Sequence, residues 1–269
     1  MDLLIPALFY LASIQDPLTW EASLDKAFDA ASGKRGLVVY WLRGGDDDVD
    51  AKWGSTVSTP EVTKALEPFV RYKEVVDSKK KNHRGYAVPH CPAFLFLDSD
   101  GKVMGQYQGL CEPLFLTKWT NTVHEVWRKH NSLVFRARGL MSERDSARLA
   151  FSWASRLETD KAKSRLAALQ SGAKSEEADM AWMALALAWE SKNDLQRALE
   201  CWTQLEVLTR SPETKAMAKC GIGDLIIESR PQQAKEKYAE VEAMNDVSSV
   251  LKWRARHQIE VIDKGVSLK

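Results

Sequence analysis

The segment at residues 86–102 reads YAVPHCPAFLFLDSDGK, and it limits the folds open to this chain more than any other stretch. Pro92 stands directly before an apolar run at residues 93–97, and a polar Asp-Ser-Asp-Gly turn follows. Proline lacks a backbone N–H, so a sheet accepts it mainly at the first residue of a strand, at a bulge or on an edge. The segment therefore predicts a buried strand at 93–98 that turns through a hairpin into a second strand at 102–109.

Helices and strands alternate upstream and downstream of this hairpin. Apolar side chains at helical spacing (Leu24, Ala27, Phe28 and Ala31) predict a helix at 18–32, which Gly33 and Gly36 end. The later elements are a strand at 37–42, a helix to near residue 68 that Thr59 is expected to cap and Pro60 to begin, a strand at 69–77, and an amphipathic helix around 115–127. This order predicts an α/β layer structure.

The order of these elements, and two segments in particular, resembles the thioredoxin fold. YAVPHCPAFLFLDSDGKVMGQYQG at 86–109 is similar to the segment that leads from a cis-proline into the terminal hairpin, with Pro92 in the position of that proline. VSTPEVTKALEPFVRYKEVVD at 57–77 is similar to the second helix and third strand of members that act outside the cytoplasm. The resemblance covers about residues 18–130.

The resemblance implies a groove beside the proline whose free backbone groups pair with an extended polypeptide. By position in the family pattern, its lining residues are His90, Cys91, Pro92, Gly109 and Leu110.

The motif that defines thioredoxin-type redox enzymes is missing. Those enzymes carry two thiols at the start of the first long helix, where the helix N-terminus stabilises a thiolate. The corresponding positions are Asp46, Asp47, Asp48 and Val49, and no cysteine precedes Cys91. We interpret this run as a degenerate active-site loop whose carboxylates cap a helix. A divalent-cation site and a general acid or base are the alternatives, although the spacing is not that of a calcium loop.

Two cysteines leave a redox function open. In thioredoxin-like domains the residue before the cis-proline, here Cys91, faces the active-site slot, and the corner at Cys111 also borders the groove. The two thiols could therefore be neighbours, as a redox-active or structural pair. The other interpretation is that each is a small buried side chain. Cys201 and Cys220 are predicted to lie in helix cores.

Strand patterns disappear after about residue 140. Helix pairs are predicted at 144–172, 175–210 and 211–245, followed by a single helix at 247–262. The spacing of about 35 residues resembles tetratricopeptide (TPR) repeats. Large and small residues occur near the packing positions of that motif, namely Trp182, Leu185, Ala186, Ala198 and Trp202. A plain α-helical bundle is the alternative.

The first 15 residues need a separate interpretation. Residues 3–15 carry no charge and are too short to span a bilayer. Their length is typical of a secretory signal, although Asp2 is acidic where a signal has Lys or Arg. The alternative is a first buried element of the mature fold. The predicted organisation is a signal peptide at 1–15, a thioredoxin-like domain at 16–132 and a TPR-like domain at 140–265. Export to the periplasm or another extracytoplasmic compartment is expected, with a cytoplasmic location as the alternative.

Charge and motif content argue against several classes of partner. The net charge is +1, and the basic run at 79–84 has no interleaved aromatics, so it is expected to be a solvated loop rather than a nucleic-acid site. The histidines have no metal-ligand spacing with the cysteines. Gly221-Ile222-Gly223 lies in a helical pattern, so it is not a phosphate loop. We expect no metal, no cofactor, no nucleic acid and no stable membrane insertion once a signal is removed.

Two functions remain from the sequence. The first is a non-catalytic thioredoxin-like protein that binds other proteins or peptides through the groove and the helical surface. The alternative is a divergent thiol-disulfide oxidoreductase that uses Cys91 and Cys111.

Overall fold

A computed structural model describes residues 18–34, 36–77, 80–169 and 175–265. It has an N-terminal α/β region with a small mixed sheet and a C-terminal region of packed helices, so the coarse architecture expected from the sequence is confirmed. The signal-peptide prediction at 1–15 lies outside the described residues. Within the described ranges, no helix combines the length and the apolar character that crossing a bilayer requires.

The described residues of the α/β region form four helices, a four-stranded sheet and a short two-stranded hairpin. Its elements are α1 (Leu24–Lys34), β1 (Val38–Arg43), α2 (Asp47–Val57), α3 (Pro60–Leu66), β2 (Val70–Val75), β3 (Asn82–His83), β4 (Tyr86–Ala87), β5 (Ala93–Leu97), β6 (Val103–Gln108) and α4 (Pro113–Arg136). The sheet order is β2-β1-β5-β6. β1 runs parallel to β2 and antiparallel to β5.

Both faces of the sheet are buried, which explains why the central strands are apolar without alternation. Tyr40 and Leu95 point toward α1 and pack in one core with Ala27. The next residues along the strands, such as Trp41 and Phe94, point to the opposite face. There they join Trp53 of α2 and Trp119 of α4, among others, in a second core.

The C-terminal region contains seven helices among the described residues. They are α5 (Glu143–Ser155), α6 (Thr159–Ala168), α7 (Glu176–Ser191), α8 (Leu195–Leu208), α9 (Pro212–Ile226), α10 (Pro231–Ala243) and α11 (Ser249–Asp263). Four begin at a serine whose hydroxyl accepts the N–H three residues on, namely Ser142, Ser175, Ser211 and Ser248. These side chains satisfy N–H groups that the helix leaves unpaired, so they fix where each helix starts.

The helices approach closely at two glycines of α9. A Cβ atom at Gly221 would lie 2.5 Å from the ring of Trp202 on α8, and one at Gly223 would lie 2.7 Å from the ring of Tyr238 on α10. The Gly-Ile-Gly motif therefore serves helix packing. Cys201 and Cys220 are buried in these helices, as predicted. Of the five proposed packing residues of the repeat pattern, four are buried and Trp182 is partly buried.

The two regions share one continuous core. α4 has 24 residues and packs against α3 on one side and α5 on the other. The rings of Trp119 and Phe151 meet across that interface with centroids 5.0 Å apart. β6 contacts both α5 and α7, and Ser191 donates a 2.9 Å hydrogen bond to Oε1 of Gln106. Because α4 continues to Arg136, the predicted boundary between 132 and 140 falls partly inside a helix; the boundary itself stays a prediction.

Some local expectations were wrong. The first helix begins at Leu24 rather than 18, because Ser23 caps it by accepting the N–H of Lys26 at 3.2 Å. Two helices, α2 and α3, stand where one was expected between β1 and β2. Thr59 precedes α3, but its hydroxyl donates to the carbonyl of Thr56 instead of capping the helix.

The described part of the basic run is also more ordered than a solvated loop. It includes β3, which pairs with β4 in a hairpin, and Arg84 donates to both carboxylate oxygens of Glu74 at 3.1 and 3.3 Å. The same carboxylate accepts a 2.7 Å hydrogen bond from Tyr40. The hairpin is therefore tied to the sheet through Glu74.

Candidate functional site

A cavity of about 650 Å³ lies between the loop that precedes β5 and the helical region. We call it the cleft. The five residues predicted to line a groove, His90, Cys91, Pro92, Gly109 and Leu110, all line it. The opposite wall comes from α7, α9 and α11 and includes Glu190, Asp224, Leu225, Trp253 and Arg254. The structure thus brings the predicted residues together, and it adds a wall that lies 80 to 170 positions away in sequence.

Hydrogen bonds to the hairpin hold the loop before β5. The Cys91–Pro92 peptide bond is cis. The carbonyl of Pro92 accepts the N–H of Gly109 at 2.8 Å, and Oε1 of Gln108 accepts the N–H of His90 at 3.0 Å. Within the described ranges, the N–H and C=O of Cys91 form no backbone hydrogen bond. This loop therefore presents unpaired backbone groups beside the cleft.

An ion pair crosses the floor of the cleft. Nε2 of His90 lies 3.3 Å from Oε2 of Glu190, whose side chain is almost fully buried. The other carboxylate oxygen accepts a 2.6 Å hydrogen bond from the indole of Trp202. Burial lowers the pKa of His90, but the carboxylate of Glu190 and the charge of Asp224 outweigh it, so the pKa is raised. The geometry therefore favours the imidazolium.

A second buried pair forms the adjacent wall. The guanidinium of Arg254 pairs with Asp224, and the hydroxyl of Tyr238 donates 2.6 Å to the same carboxylate. Arg254 also donates to the carbonyl of Leu110 at 3.5 Å. A Cβ atom at position 109 would lie 2.7 Å from the guanidinium, and Gly109 has φ +83, so glycine suits this corner on both counts.

Two further contacts between acidic and basic side chains join the regions at the rim. Oδ2 of Asp46 lies 3.6 Å from Nε2 of His257, whose ring stacks on Trp253. Lys81 lies 3.3 Å from Glu228. With the pair of His90 and Glu190, these contacts connect the α/β region to the helices around the cleft.

The acidic run lies at the start of α2, where its first member is the helix cap. Oδ1 of Asp46 accepts the N–H groups of Asp48 and Val49 at 3.1 and 3.0 Å. The buried Asp50 accepts from the N–H groups of Gly44 and Gly45. Asp47 and Asp48 are exposed, and Val49 lines the cleft. Across the part of the chain that is described, no cluster of three or more His, Cys, Asp or Glu could hold a metal ion.

The four thiols are all free. Burial, with a contribution from Asp50, raises the pKa of Cys91 to about 12. Burial also raises the pKa of Cys111 to about 12, although a hydrogen bond with Tyr107 and the charge of Arg254 lower it. Cys91 packs with the core under α1, whereas Cys111 belongs to the core on the other face of the sheet. The expectation that they could be neighbours receives no support from this placement, and Cys111 is not among the residues that line the cleft.

Sequence reasoning missed the residues of the helical wall. The helices that carry Glu190, Asp224 and Arg254 have the sequence pattern of ordinary repeat helices. Nothing in the spacing of these three residues links them to residues 90–110. One signal was present. Glu190 ends the apolar run MALALAWE, where a buried carboxylate requires a partner.

Comparisons with protein-family models, curated proteins and solved structures found no match to this chain. The cleft is therefore interpreted from its own residues.

Proposed function

We propose that this chain is a non-catalytic, thioredoxin-like polypeptide-binding protein whose cleft takes a short extended segment of a partner protein. One observation carries the proposal. The five residues that the resemblance assigns to a peptide groove all line one cavity. A loop with unpaired backbone groups at Cys91 borders the same cavity.

The dimensions and chemistry of the cleft support a ligand of this kind. Its volume lies within the range of about 300–1,000 Å³ that is usual for ligand sites. Its lining combines apolar side chains, such as Pro92, Leu195 and Trp253, with polar groups. Extended peptides use such a surface by pairing their backbone with free N–H and C=O groups, while alternate side chains enter pockets.

The thiols support binding over catalysis. A thiol-disulfide oxidoreductase needs a stabilised thiolate and a second thiol to resolve the mixed disulfide. The pKa of Cys91 is raised to about 12, and Cys111 lies on the other face of the sheet. The slot that corresponds to the family's two thiols lies near residues 46–49 and contains no cysteine, and its first residue, Asp46, caps a helix.

The helical region, in this proposal, is a TPR-like array that forms the second wall. Its α7, α9 and α11 contribute the charged and aromatic side chains that would select among segments. The domain ranges 16–132 and 140–265 and export from the cytoplasm belong to the same proposal.

A test compares two matched substitutions on α8. Leu195 lines the cleft and is 44% exposed, whereas Val207 is 74% exposed and lies outside it. A heptapeptide is selected from a random phage-displayed library on the immobilised full chain, and its affinity is measured by fluorescence anisotropy. Leu195→Trp should weaken binding about tenfold or more, a loss of about 1.4 kcal/mol, and Val207→Trp should change it less than about twofold.

Two results would overturn the proposal. One is that no heptapeptide is enriched on the native chain. The other is that the selected peptide binds both tryptophan variants as tightly as it binds the native chain.

A further inference from the structure

A second, much smaller cavity lies beside the floor of the cleft. Its volume is about 20 Å³. It shares His90, Glu190, Asp224 and Arg254 with the cleft lining. Gln108 of β6 lines it as well, together with apolar side chains from α7 and α9. We call it the inner cavity.

Two buried polar atoms of the residues that line the inner cavity have hydrogen-bonding capacity left. In the described part of the chain, Nε2 of Gln108 has no hydrogen-bond partner. Oε2 of Glu190 has only its 3.3 Å ion-pair contact with Nε2 of His90, and a carboxylate oxygen can accept a second hydrogen bond. The two residues are only 5% and 4% exposed. The orientation of each side chain is fixed by its other end, since Oε1 of Gln108 accepts from His90 and Oε1 of Glu190 accepts from Trp202. The inner cavity is thus lined by two residues, of which Gln108 has a free donor and Glu190 can accept a further hydrogen bond.

The charges around these two atoms are already balanced. Glu190 faces His90 at 3.3 Å, and Asp224 is paired with Arg254. A further ion placed here would be buried without a counter-charge, which is strongly unfavourable. A neutral group that both donates and accepts hydrogen bonds would satisfy the amide of Gln108 and the carboxylate of Glu190 together.

The volume restricts that group to one heavy atom. A cavity of about 10–15 Å³ is enough for one water molecule, so the inner cavity has room for a single oxygen and not for an amide or a ring. We propose that the inner cavity is a hydroxyl subsite. It binds water when the cleft is empty, and the side-chain hydroxyl of a serine or threonine when a polypeptide segment is bound. The second half rests on the proposed function, whereas the first half does not.

The first test is a crystal structure of the full chain at a resolution that shows ordered water. An oxygen should appear within hydrogen-bonding distance, about 3.2 Å, of both Nε2 of Gln108 and Oε2 of Glu190. An empty inner cavity, or an oxygen that contacts neither atom, would overturn the subsite. This result does not depend on whether any peptide binds.

The second test uses peptides selected on the native chain as described above. Enriched sequences should contain serine or threonine at one position. Replacing that residue by alanine should weaken binding to the native chain about tenfold, because an unfilled donor and acceptor remain buried. In Gln108→Leu the same replacement should weaken binding clearly less than tenfold, because the donor has been removed and only the acceptor on Glu190 remains.

Gln106→Leu is the matched control for the second test. Gln106 lies two residues away on β6, is equally buried and also has a free Nε2, but it does not line the inner cavity. This variant should keep the full preference for the hydroxyl. If peptides bind the cleft without any preference for serine or threonine, the hydroxyl subsite for polypeptides is refuted while peptide binding stands. If no peptide binds, the proposed function fails and the ordered oxygen alone decides the subsite.

Discussion

The indole N–H of Trp202 donates a 2.6 Å hydrogen bond to one oxygen of Glu190, and the other oxygen of that carboxylate meets His90 across the cleft. The bond fixes a buried negative charge on α7 opposite a titratable ring in the α/β region. The contact between the two regions at this point therefore depends on the protonation of one imidazole.

We expect His90 to contribute to the free energy of unfolding at low pH and to contribute less as the pH rises. His90→Gln should remove this contribution. Burial lowers the pKa of His90, but Glu190 and Asp224 raise it further, so the folded value lies above the ordinary one. Such a group contributes stability that is fully present below its unfolded pKa of about 6.5 and is lost as pH rises through the folded pKa. In urea unfolding, the loss caused by His90→Gln should therefore be greatest on the acid side of neutrality and smallest at alkaline pH.

His124→Gln supplies a control with the opposite sign. Burial lowers the pKa of His124, so its contribution is present above pH about 6.5 and is lost as pH falls. The free energy of unfolding of His124→Gln should therefore rise relative to that of the native chain as the pH is lowered. If the free energy of unfolding changes equally with pH in the native chain and in His90→Gln, the ion pair between His90 and Glu190 is contradicted.

Gly221→Ala should destabilise the chain by about 1–3 kcal/mol, the usual effect of overpacking a close interface. A Cβ atom there would lie 2.5 Å from the Trp202 ring, so α8 and α9 must move apart. Gly54→Ala is the control, since nothing lies within 4 Å of a Cβ at that position of α2. It should be neutral or stabilising by up to about 1 kcal/mol, the helix propensity gained. Chemical denaturation of both variants gives the comparison, and equal effects would show that α9 does not need its glycine.

The helices of the C-terminal region were predictable because their signals are local. Apolar positions at helical spacing, with serine caps at four of the helices, set the bounds of α5 to α11 within a few residues. The sequence predicted that the acidic run caps a helix, but it gave no bounds for α2, because Gly44-Gly45 and four aspartates together are typical of a loop. The structure identifies Asp46 as the cap and Asp47 as the first residue of the helix. Aspartate occurs both as a helix cap and in turns, so the residue type alone does not separate a helix start from a loop. In this chain the packing of Trp53, which follows on α2, makes the difference.

Asp46→Ala should cost about 0.5–2 kcal/mol of stability, because two N–H groups at the start of α2 lose their acceptor. Asp46→Asn keeps an equivalent cap and removes only the charge that faces His257. It should therefore have a clearly smaller effect than alanine. Asp48→Ala, an exposed neighbour whose side chain caps nothing, is the second control. Urea unfolding of the three variants separates the cap from the ion pair, and equal losses in the alanine and asparagine variants would assign the effect to the pair with His257.

Only one wall of the cleft could be predicted from the sequence, because only that wall is formed by residues close to one hairpin. The residues from His90 to Pro92 and at Gly109 and Leu110 are close to one hairpin, and a resemblance over that hairpin assigns all of them. The partners of this loop are Glu190, Asp224 and Arg254, which reach it through the docking of a whole helical region on β6. Docking of this kind is set by the summed shape of many apolar side chains, so no short motif encodes it.

Cys91 should react slowly with iodoacetamide in the folded chain. With a pKa of about 12, its thiolate fraction at pH 8 is about one in 10⁴, against roughly a quarter for a free cysteine of pKa about 8.5. Peptide mapping by mass spectrometry should show labelling about a thousandfold slower than in the urea-unfolded chain, which is its own control. Labelling at the unfolded rate would favour the oxidoreductase that the sequence left open.

β6 ends one side of the sheet, and such a strand normally offers unpaired N–H and C=O groups to any neighbouring chain. In this fold α5 and α7 pack on it, and five of its six residues are buried. At the opposite edge of the sheet, the N–H of Glu21 donates to the carbonyl of Arg71 on β2 at 2.8 Å. The helical region therefore covers this strand of the sheet, and we expect a chain cut short after α4 to expose β6 and to aggregate through its edge.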